Sequence, residues 1–422
     1  MKKKTLIGMM LLASPTITMA QNIIYPTPPS DNTVDKYFGI EVNDPYRPLE
    51  SDTAQATLAW VKAENNITTD YLSKIPFRAK LLNRMKELAN YEKYSAPWYN
   101  KHTQKWYFYR NNGLQNQSVL YVMNRLGDEK KAQIFLDPNK LSTDGTVALK
   151  SISFSNNGKY AAYAISRSGS DWQEFYVIDT NSGKLLNDHI KWAKFSNAAW
   201  LGDGFYYSAY DAPSPGNELS NVNSVQKIYY HKIGTPQSED ILFYQNPEQP
   251  MRFYTLGVNE DETMMFLIES GAGQGNGLYA RNLKQEGSQF IQLNANLEAQ
   301  CNPIKTIGDK IYILTNEKAP TNKLVVTDIH HPSKADWKTV IPANSNVLED
   351  VAFVDGKLIL TYMQDAYSHS YLYSIDGKQL KEIKLPTVGS ASFTGNYERP
   401  EVFYSFTSFT EPTSVYQYNV NT

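Results

Sequence analysis

One phrase recurs along most of this chain and limits its fold more than any other feature. A polar turn leads into a short run of strand-forming residues, a polar stretch follows, and a second strand closes the phrase. The leading strands read Lys105-Trp106-Tyr107-Phe108-Tyr109, Lys159-Tyr160-Ala161-Ala162-Tyr163, Phe205-Tyr206-Tyr207, Met264-Met265-Phe266-Leu267-Ile268, Lys310-Ile311-Tyr312-Ile313-Leu314, Lys357-Leu358-Ile359-Leu360 and Val402-Phe403-Tyr404-Ser405-Phe406. Each has a partner downstream, such as Ser118-Val119-Leu120-Tyr121-Val122 or Lys323-Leu324-Val325-Val326-Thr327-Asp328. The spacing is about 45 to 60 residues, the length of a multi-strand repeat. Turn dipeptides such as Asn157-Gly158, Asp203-Gly204, Asp355-Gly356 and Asp376-Gly377 punctuate the strands. Aromatic residues make up 13% of the chain, with 30 Tyr, and they favour strands. A repeat of this kind reads as a β-propeller blade. A blade cannot bury both faces alone, so blades stack around an axis. Two β-sandwiches with coincidental spacing are the competing architecture, and seven phrases in register weigh against them.

The repeats begin near Tyr91, and the residues before them have a different texture. Lys2, Lys3 and Lys4 form a basic segment, Leu6 to Ala13 an apolar one, and Thr18-Met19-Ala20 supplies small residues before Gln21. This is the three-part pattern of a secretory signal peptide. The apolar run is too short for a stable membrane anchor, and no cysteine follows it to carry a lipid. The expected destination is a bacterial periplasm or the medium, with no membrane attachment after cleavage; an uncleaved membrane tether is the competing reading. Residues 21–52 hold Pro26, Pro28, Pro29 and Pro45 and read as an extended arm. A helix is expected from Ala54 to about Leu72, with Asp52 or Thr53 as its cap. A second follows Pro76, with Phe77, Leu81, Leu82, Met85 and Leu88 on one face. The reading is therefore mainly β: a signal peptide over 1–20, an arm and two α-helices over 21–90, and a seven-bladed β-propeller over 91–422.

Composition excludes several function classes. Forty-one basic residues against 43 acidic give a net charge of −2, no footprint for nucleic acid. Loss of three lysines with the signal would leave 38 basic residues against 43 acidic, or −5. A single cysteine, Cys301, rules out an intramolecular disulfide and a cysteine-based zinc site. No metal or cofactor is expected. The sequence holds no G-x-S-x-G nucleophile elbow, no H-E-x-x-H, no P-loop and no G-x-G-x-x-G behind a strand. The Gly-rich run Gly271–Gly277 reads as a hairpin loop and His330-His331 as a solvated turn.

Specific residues then carry a family match. Tyr25-Pro26, Asp44-Pro45-Tyr46-Arg47, Leu49-Glu50 and Trp60-Val61 resemble the opening of the prolyl oligopeptidase family of serine peptidases. Gly113 to Tyr121, Ser168-Gly169-Ser170-Asp171-Trp172, Lys227-Ile228-Tyr229-Tyr230-His231 with Ser238-Glu239-Asp240, and Phe403 to Phe409 are similar to blades of that family, in order. Pro48 departs from it, since the family usually has Trp there. The resemblance implies a seven-bladed propeller capping an α/β-hydrolase domain that cleaves short peptides after proline. It places the Ser-Asp-His triad after the propeller, so no catalytic residue is assigned in this chain. It also implies that the arm and helices belong with the hydrolase half. Phe195 matches a family position on the apolar wall of the substrate pocket; Phe253 and Ala272 align with two more, where one member of the family carries other residues. A purely structural place at a blade edge is the competing reading of Phe195.

The expected function is the propeller portion of an exported prolyl peptidase, gating access and lining the substrate pocket, and inactive as this chain alone. Its expected partners are proline-containing oligopeptides and an α/β-hydrolase domain. The rival is a non-catalytic binding or scaffold propeller that pairs with a separately encoded hydrolase domain. A catalytic propeller of the glycosidase kind would need carboxylates converging near the axis, and nothing local shows them.

Overall fold

The computed structural model describes residues 23–422. The expected signal peptide falls outside these residues. Two compact units divide between Met85 and Lys86.

In the first unit the arm is less extended than its prolines suggest. Val34–Tyr37 and Ile40–Asn43 pair as an antiparallel hairpin. Phe38 and Gly39 turn it with φ of 50° and 87°, the left-handed pair that a two-residue hairpin favours. Arg47 ties the hairpin to the next turn of chain, through Asp35 and through Asp44 at 2.6 Å. Pro48 lies in a 3-10 turn, Arg47–Glu50, and its carbonyl accepts from the hydroxyl of buried Thr57 at 3.2 Å. The first helix, α1, spans Gln55–Ser73. Neither Asp52 nor Thr53 caps it. A turn from Ser51 to Ala54 carries the chain past both, and Ala54 is the N-cap with no side-chain bond. The Trp60 indole donates to the Pro26 carbonyl at 3.3 Å, tying the arm to α1. The second helix, α2, spans Arg78–Ala89 and so crosses the division. Its apolar face, Phe77, Leu81, Leu82, Met85 and Leu88, is exposed.

The second unit is a β-propeller. All seven leading runs are strands, and each pairs antiparallel with its downstream partner. Sequence reading missed the strands on either side. A further strand precedes each pair, such as Phe253–Val258, Cys301–Ile307 and Val347–Val354. An outer strand closes most of the sheets, such as Lys338–Ile341 and Gln379–Ile383.

The expected seven separate blades are not what forms. The described residues show five discrete blade-sized sheets, of five, four, four, four and three strands, and one sheet of eight. The eight-stranded sheet runs from Val147 to Gln245 because the strand Leu185–Lys194, paired from end to end with Trp172–Asp179, also has a partner on its other side. It bridges to Gly204–Ala209 through one residue pair, Ala193 with Ala209.

The hydrophobic cores lie between sheets. Residues such as Ile311, Ile313 and Val325 pack on Met264, Phe266 and Leu278 of the preceding sheet. The middle strands are buried on both faces: Ile311, Tyr312 and Ile313 are each at most 4% exposed. Full burial of such side chains is worth about 1.5–3 kcal/mol each. Within the eight-stranded sheet a core of Phe175, Trp200, Phe205 and Tyr207 separates its two halves. The last sheet, Ser390–Asn419, meets the first, Lys93–Leu136, through Trp106, Phe108, Met123 and Phe403. No strand is shared at that seam.

The Asp203-Gly204 dipeptide does not centre a turn as its composition suggests. The positive φ falls on Gly202, at 59°, and Gly204 begins a strand. A Cβ on Gly204 would stand 2.2 Å from the His231 carbonyl oxygen, so this glycine serves close packing rather than turning. The run Gly271–Gly275 is the hairpin loop that its composition suggests, joining Met264–Ser270 to Asn276–Asn282.

Candidate functional site

The propeller carries two features beyond its cores: an exposed aromatic cluster at one end of the strands, and a charged cavity at the other.

The aromatic cluster is built where the eight-stranded sheet meets the next one. Phe195 follows the strand Leu185–Lys194, and Phe253 opens the strand Phe253–Val258. Their rings meet edge to face at 5.4 Å, with an interplanar angle of 89°. Phe195 is 51% exposed and Phe253 is 37% exposed. Ala272 lies just beyond Ser270, the strand partner of Phe253, and is exposed. The structure thus brings Phe195 and Phe253 into contact and places Ala272 at the same sheet end. Trp172 and Trp192 form a second edge-to-face pair at 5.4 Å. The Lys194 ammonium lies over both Trp172, at 5.0 Å, and Phe195, at 5.7 Å. Sequence reasoning did not assign Trp172, Trp192 or Lys194 to this patch; the Lys194-Phe195 adjacency was the available signal.

The backbone here is held in an unusual shape. Trp192 and Phe195 have φ of 61° and 53°. Bulky residues in the left-handed region cost free energy and persist only where the surroundings over-determine them. Those surroundings are specific. Tyr210 N donates to Trp192 O at 3.1 Å. Buried Gln226 donates to Lys194 O at 2.9 Å, and Ser196 N donates to buried Gln173 at 3.0 Å. The main chain around Phe195 is anchored inward on both sides while its ring faces out.

At the opposite strand ends a cavity of about 790 Å³ is lined by residues of several sheets, among them Trp98, Lys101, Glu260, Lys305, Asp350 and Glu398. Lys101 meets Glu260 at 3.2 Å and Asp261 at 3.3 Å, and Lys305 meets Glu260 at 3.2 Å. Burial opposes ionisation of Glu260, but the two lysines outweigh it and hold the carboxyl below its usual range. Burial pushes the Asp350 carboxyl up. These side chains place charge of both signs at one end of the propeller. They do not form an acid–base pair on a reacting centre.

No group of His, Cys, Asp and Glu among the described residues is arranged to hold a metal ion. Cys301 is fully buried, its Sγ lies 3.3 Å from the Thr315 hydroxyl, and burial pushes its thiol up. His330 and His331 are exposed, and His331 pairs with Asp328 of its own turn. No helix of the described residues is long and apolar enough to cross a membrane.

Comparison with known proteins places the architecture. Residues 25–422 match the family model described as prolyl oligopeptidase, N-terminal beta-propeller domain. The chain is 40% identical over 400 residues to a prolyl endopeptidase of Elizabethkingia meningoseptica, covering 94% of this chain and 56% of that protein. It is 32% identical over 439 residues to prolyl oligopeptidase A of Amanita bisporigera, again over 94% and 56%. A solved structure of prolyl oligopeptidase B from Galerina marginata, bound to a 35mer hydrolysis and macrocyclization substrate, superposes with a TM-score of 0.83 at 29% identity. That match covers 94% of this chain and 59% of the other. The chain thus spans a little over half the length of the relatives it matches. With residues 25–422 matched to that family model and relatives 40% and 32% identical along 94% of the chain, the chain belongs to the prolyl oligopeptidase family, of which it carries the N-terminal propeller region.

Proposed function

We propose that this chain is the propeller part of a serine peptidase that cleaves short peptides after proline. In this reading Phe195, Phe253 and Ala272 form the propeller's share of the substrate wall. The observation that carries it is the edge-to-face Phe195–Phe253 pair, held out to solvent on a backbone anchored from behind. An aromatic residue kept exposed against both its hydrophobicity and its backbone preference marks a place where an apolar ligand group is covered. The charged cavity at the far strand ends is the gate in this reading. The exposed apolar face of α2 is the part that the hydrolase domain covers. The eight-stranded sheet acts as two blades, giving a seven-bladed ring. The core between its halves and their one-pair junction support that division. Export to a periplasm or the medium is part of the same proposal and rests on residues 1–20 of the sequence.

The nucleophile and its base belong, in this reading, to the part of the relatives that the chain does not cover. Acyl transfer needs both in place. The purified 422-residue chain is therefore expected to give no turnover of a proline-containing chromogenic peptide. Turnover by pure protein, abolished by a serine-directed reagent, would overturn this assignment. The wall itself is tested by binding. Phe195→Ala should weaken capture of a prolyl peptide by about 1.5–3 kcal/mol if the ring is fully covered, read by titration calorimetry. Unchanged affinity would remove Phe195 from the wall.

A further inference from the structure

We infer that Gln226 is a positioning residue that sets the Phe195–Phe253 pair. This rests on the reading of those rings as a substrate wall. Gln226 carries no exposed surface, and its amide is used from both ends. Its Nε2 donates to the carbonyl of Lys194 at 2.9 Å, the residue before Phe195. Its Oε1 accepts from the N–H of Tyr254 at 2.6 Å, the residue after Phe253. One side chain thus spans the backbones that carry the two rings, on segments far apart in sequence and in different sheets. A glutamine suits this task because a single planar group offers a donor and an acceptor. Glutamate lacks the donor, and methionine lacks both.

Strain gathers around this amide. Trp192, Phe195 and Val225, the residue before Gln226, have φ of 61°, 53° and 55°. A β-branched residue in that region is a genuine outlier. Val225 is itself fixed, its N–H donating to Pro250 O at 2.7 Å. Gln173 secures the other side of Phe195 through Ser196 N, and Ser196 Oγ accepts from Ser208 N at 2.8 Å. The side chains that touch a ligand are thus aromatic and exposed, and those that aim them are amides and hydroxyls, buried and bonded to main chain. Such a supporting shell fixes a binding surface to within fractions of an ångström.

The test places a trifluoromethyl-phenylalanine at position 195 of the full chain and reads its fluorine resonance. The ring current of Phe253 shifts that resonance, and Phe253→Ala supplies the uncoupled value. In Gln226→Met and Gln226→Glu the resonance is expected to move most of the way to that value. A folded variant of either kind with an unmoved resonance would overturn the inference. Should Gln226→Met fail to fold, Gln226→Glu, which keeps an acceptor for Tyr254 N–H, carries the same two outcomes. Prolyl-peptide affinity, measured in parallel, is expected to fall about 2- to 12-fold in the Gln226 variants, the range set by ordering one side chain at an interface. If Phe195→Ala leaves that affinity unchanged, the substrate-wall reading fails, and the clamp is still judged by the resonance.

Discussion

Replacing His231 by alanine should destabilise the propeller by about 3–5 kcal/mol, the cost of breaking a buried ion pair from one side. His231 has no exposed surface. Its Nδ1 lies 2.7 Å from Asp240 and its Nε2 lies 3.0 Å from Asp188. A neutral imidazole has one N–H and cannot donate to two carboxylates, so this geometry demands the imidazolium. The surrounding groups complete the arrangement. The Tyr207 hydroxyl donates to the second oxygen of Asp240 at 2.7 Å, Gly234 N donates to Asp188 at 2.6 Å, and the Phe205 ring packs on His231 at 5.4 Å. Burial alone would lower the His231 pKa, but the bonds to Asp188 and Asp240 outweigh it and raise it to about 9. Asp188, whose burial works the other way, is held below its usual range chiefly by His231.

These two shifts set the sign of the pH dependence. The imidazolium contributes its full stabilisation below the ordinary histidine value near 6.5 and loses it as pH rises through about 9. The Asp188 contribution is present above the ordinary carboxyl range and is lost as pH falls through its lowered value. Denaturant midpoints between about pH 6 and 10 should therefore fall on the alkaline side in the natural chain. His231→Ala should flatten that limb. A variant within about 1 kcal/mol of the natural chain, the size of an ordinary surface effect, would show that the two carboxylates do not depend on the ring.

Trp106→Ala should cost about 3–5 kcal/mol, in the range for large aromatic deletions, and should act on the ring as a whole. Trp106 is 7% exposed and stands at the seam where the first and last sheets meet without sharing a strand. It packs edge to face on Phe403 at 5.9 Å and against Tyr99 at 5.3 Å. The Arg399 guanidinium lies over Tyr99 at 4.5 Å and over Trp106 at 5.4 Å. Elsewhere each sheet continues covalently into the next, whereas here only side chains hold the ring shut. Hydrogen exchange should accelerate first in Ser390–Asn396 and Trp98–Asn100, the strands on either side of the seam. Uniform acceleration across all sheets would show that the seam is no weaker than its neighbours.

The sequence revealed the middle of each blade and concealed its edges, for a physical reason. Strands such as Lys310–Thr315 and Lys357–Gln364 are sandwiched between neighbouring sheets, so both faces need apolar residues and the run is continuous. The first strand of a blade is far less buried than the middle one. Ser390–Asn396 reads Ser-Ala-Ser-Phe-Thr-Gly-Asn and gives little periodic signal. Outer strands such as Gln379–Ile383 are exposed edges and read as polar loop. The eight-stranded sheet was hidden because its junction is a single pair of alanines. The arm hairpin was hidden because Phe38-Gly39 is not among the usual turn dipeptides. Phe195 and Phe253 were reached through the family resemblance alone, and no local pattern shows that the two rings touch. Gln226 was invisible for a further reason: a buried glutamine looks like any polar residue beside a strand until both its partners are known.

The most direct test of the substrate wall is photocrosslinking with a prolyl peptide that carries a photoreactive group upstream of its proline, followed by mapping of the adducts on the 422-residue chain. Adducts are expected on the segments holding Phe195, Phe253 and Ala272, competed by unlabelled peptide and lost in Phe195→Ala. Adducts confined to other surfaces, such as the charged cavity at Lys101 and Glu260, would contradict the assignment.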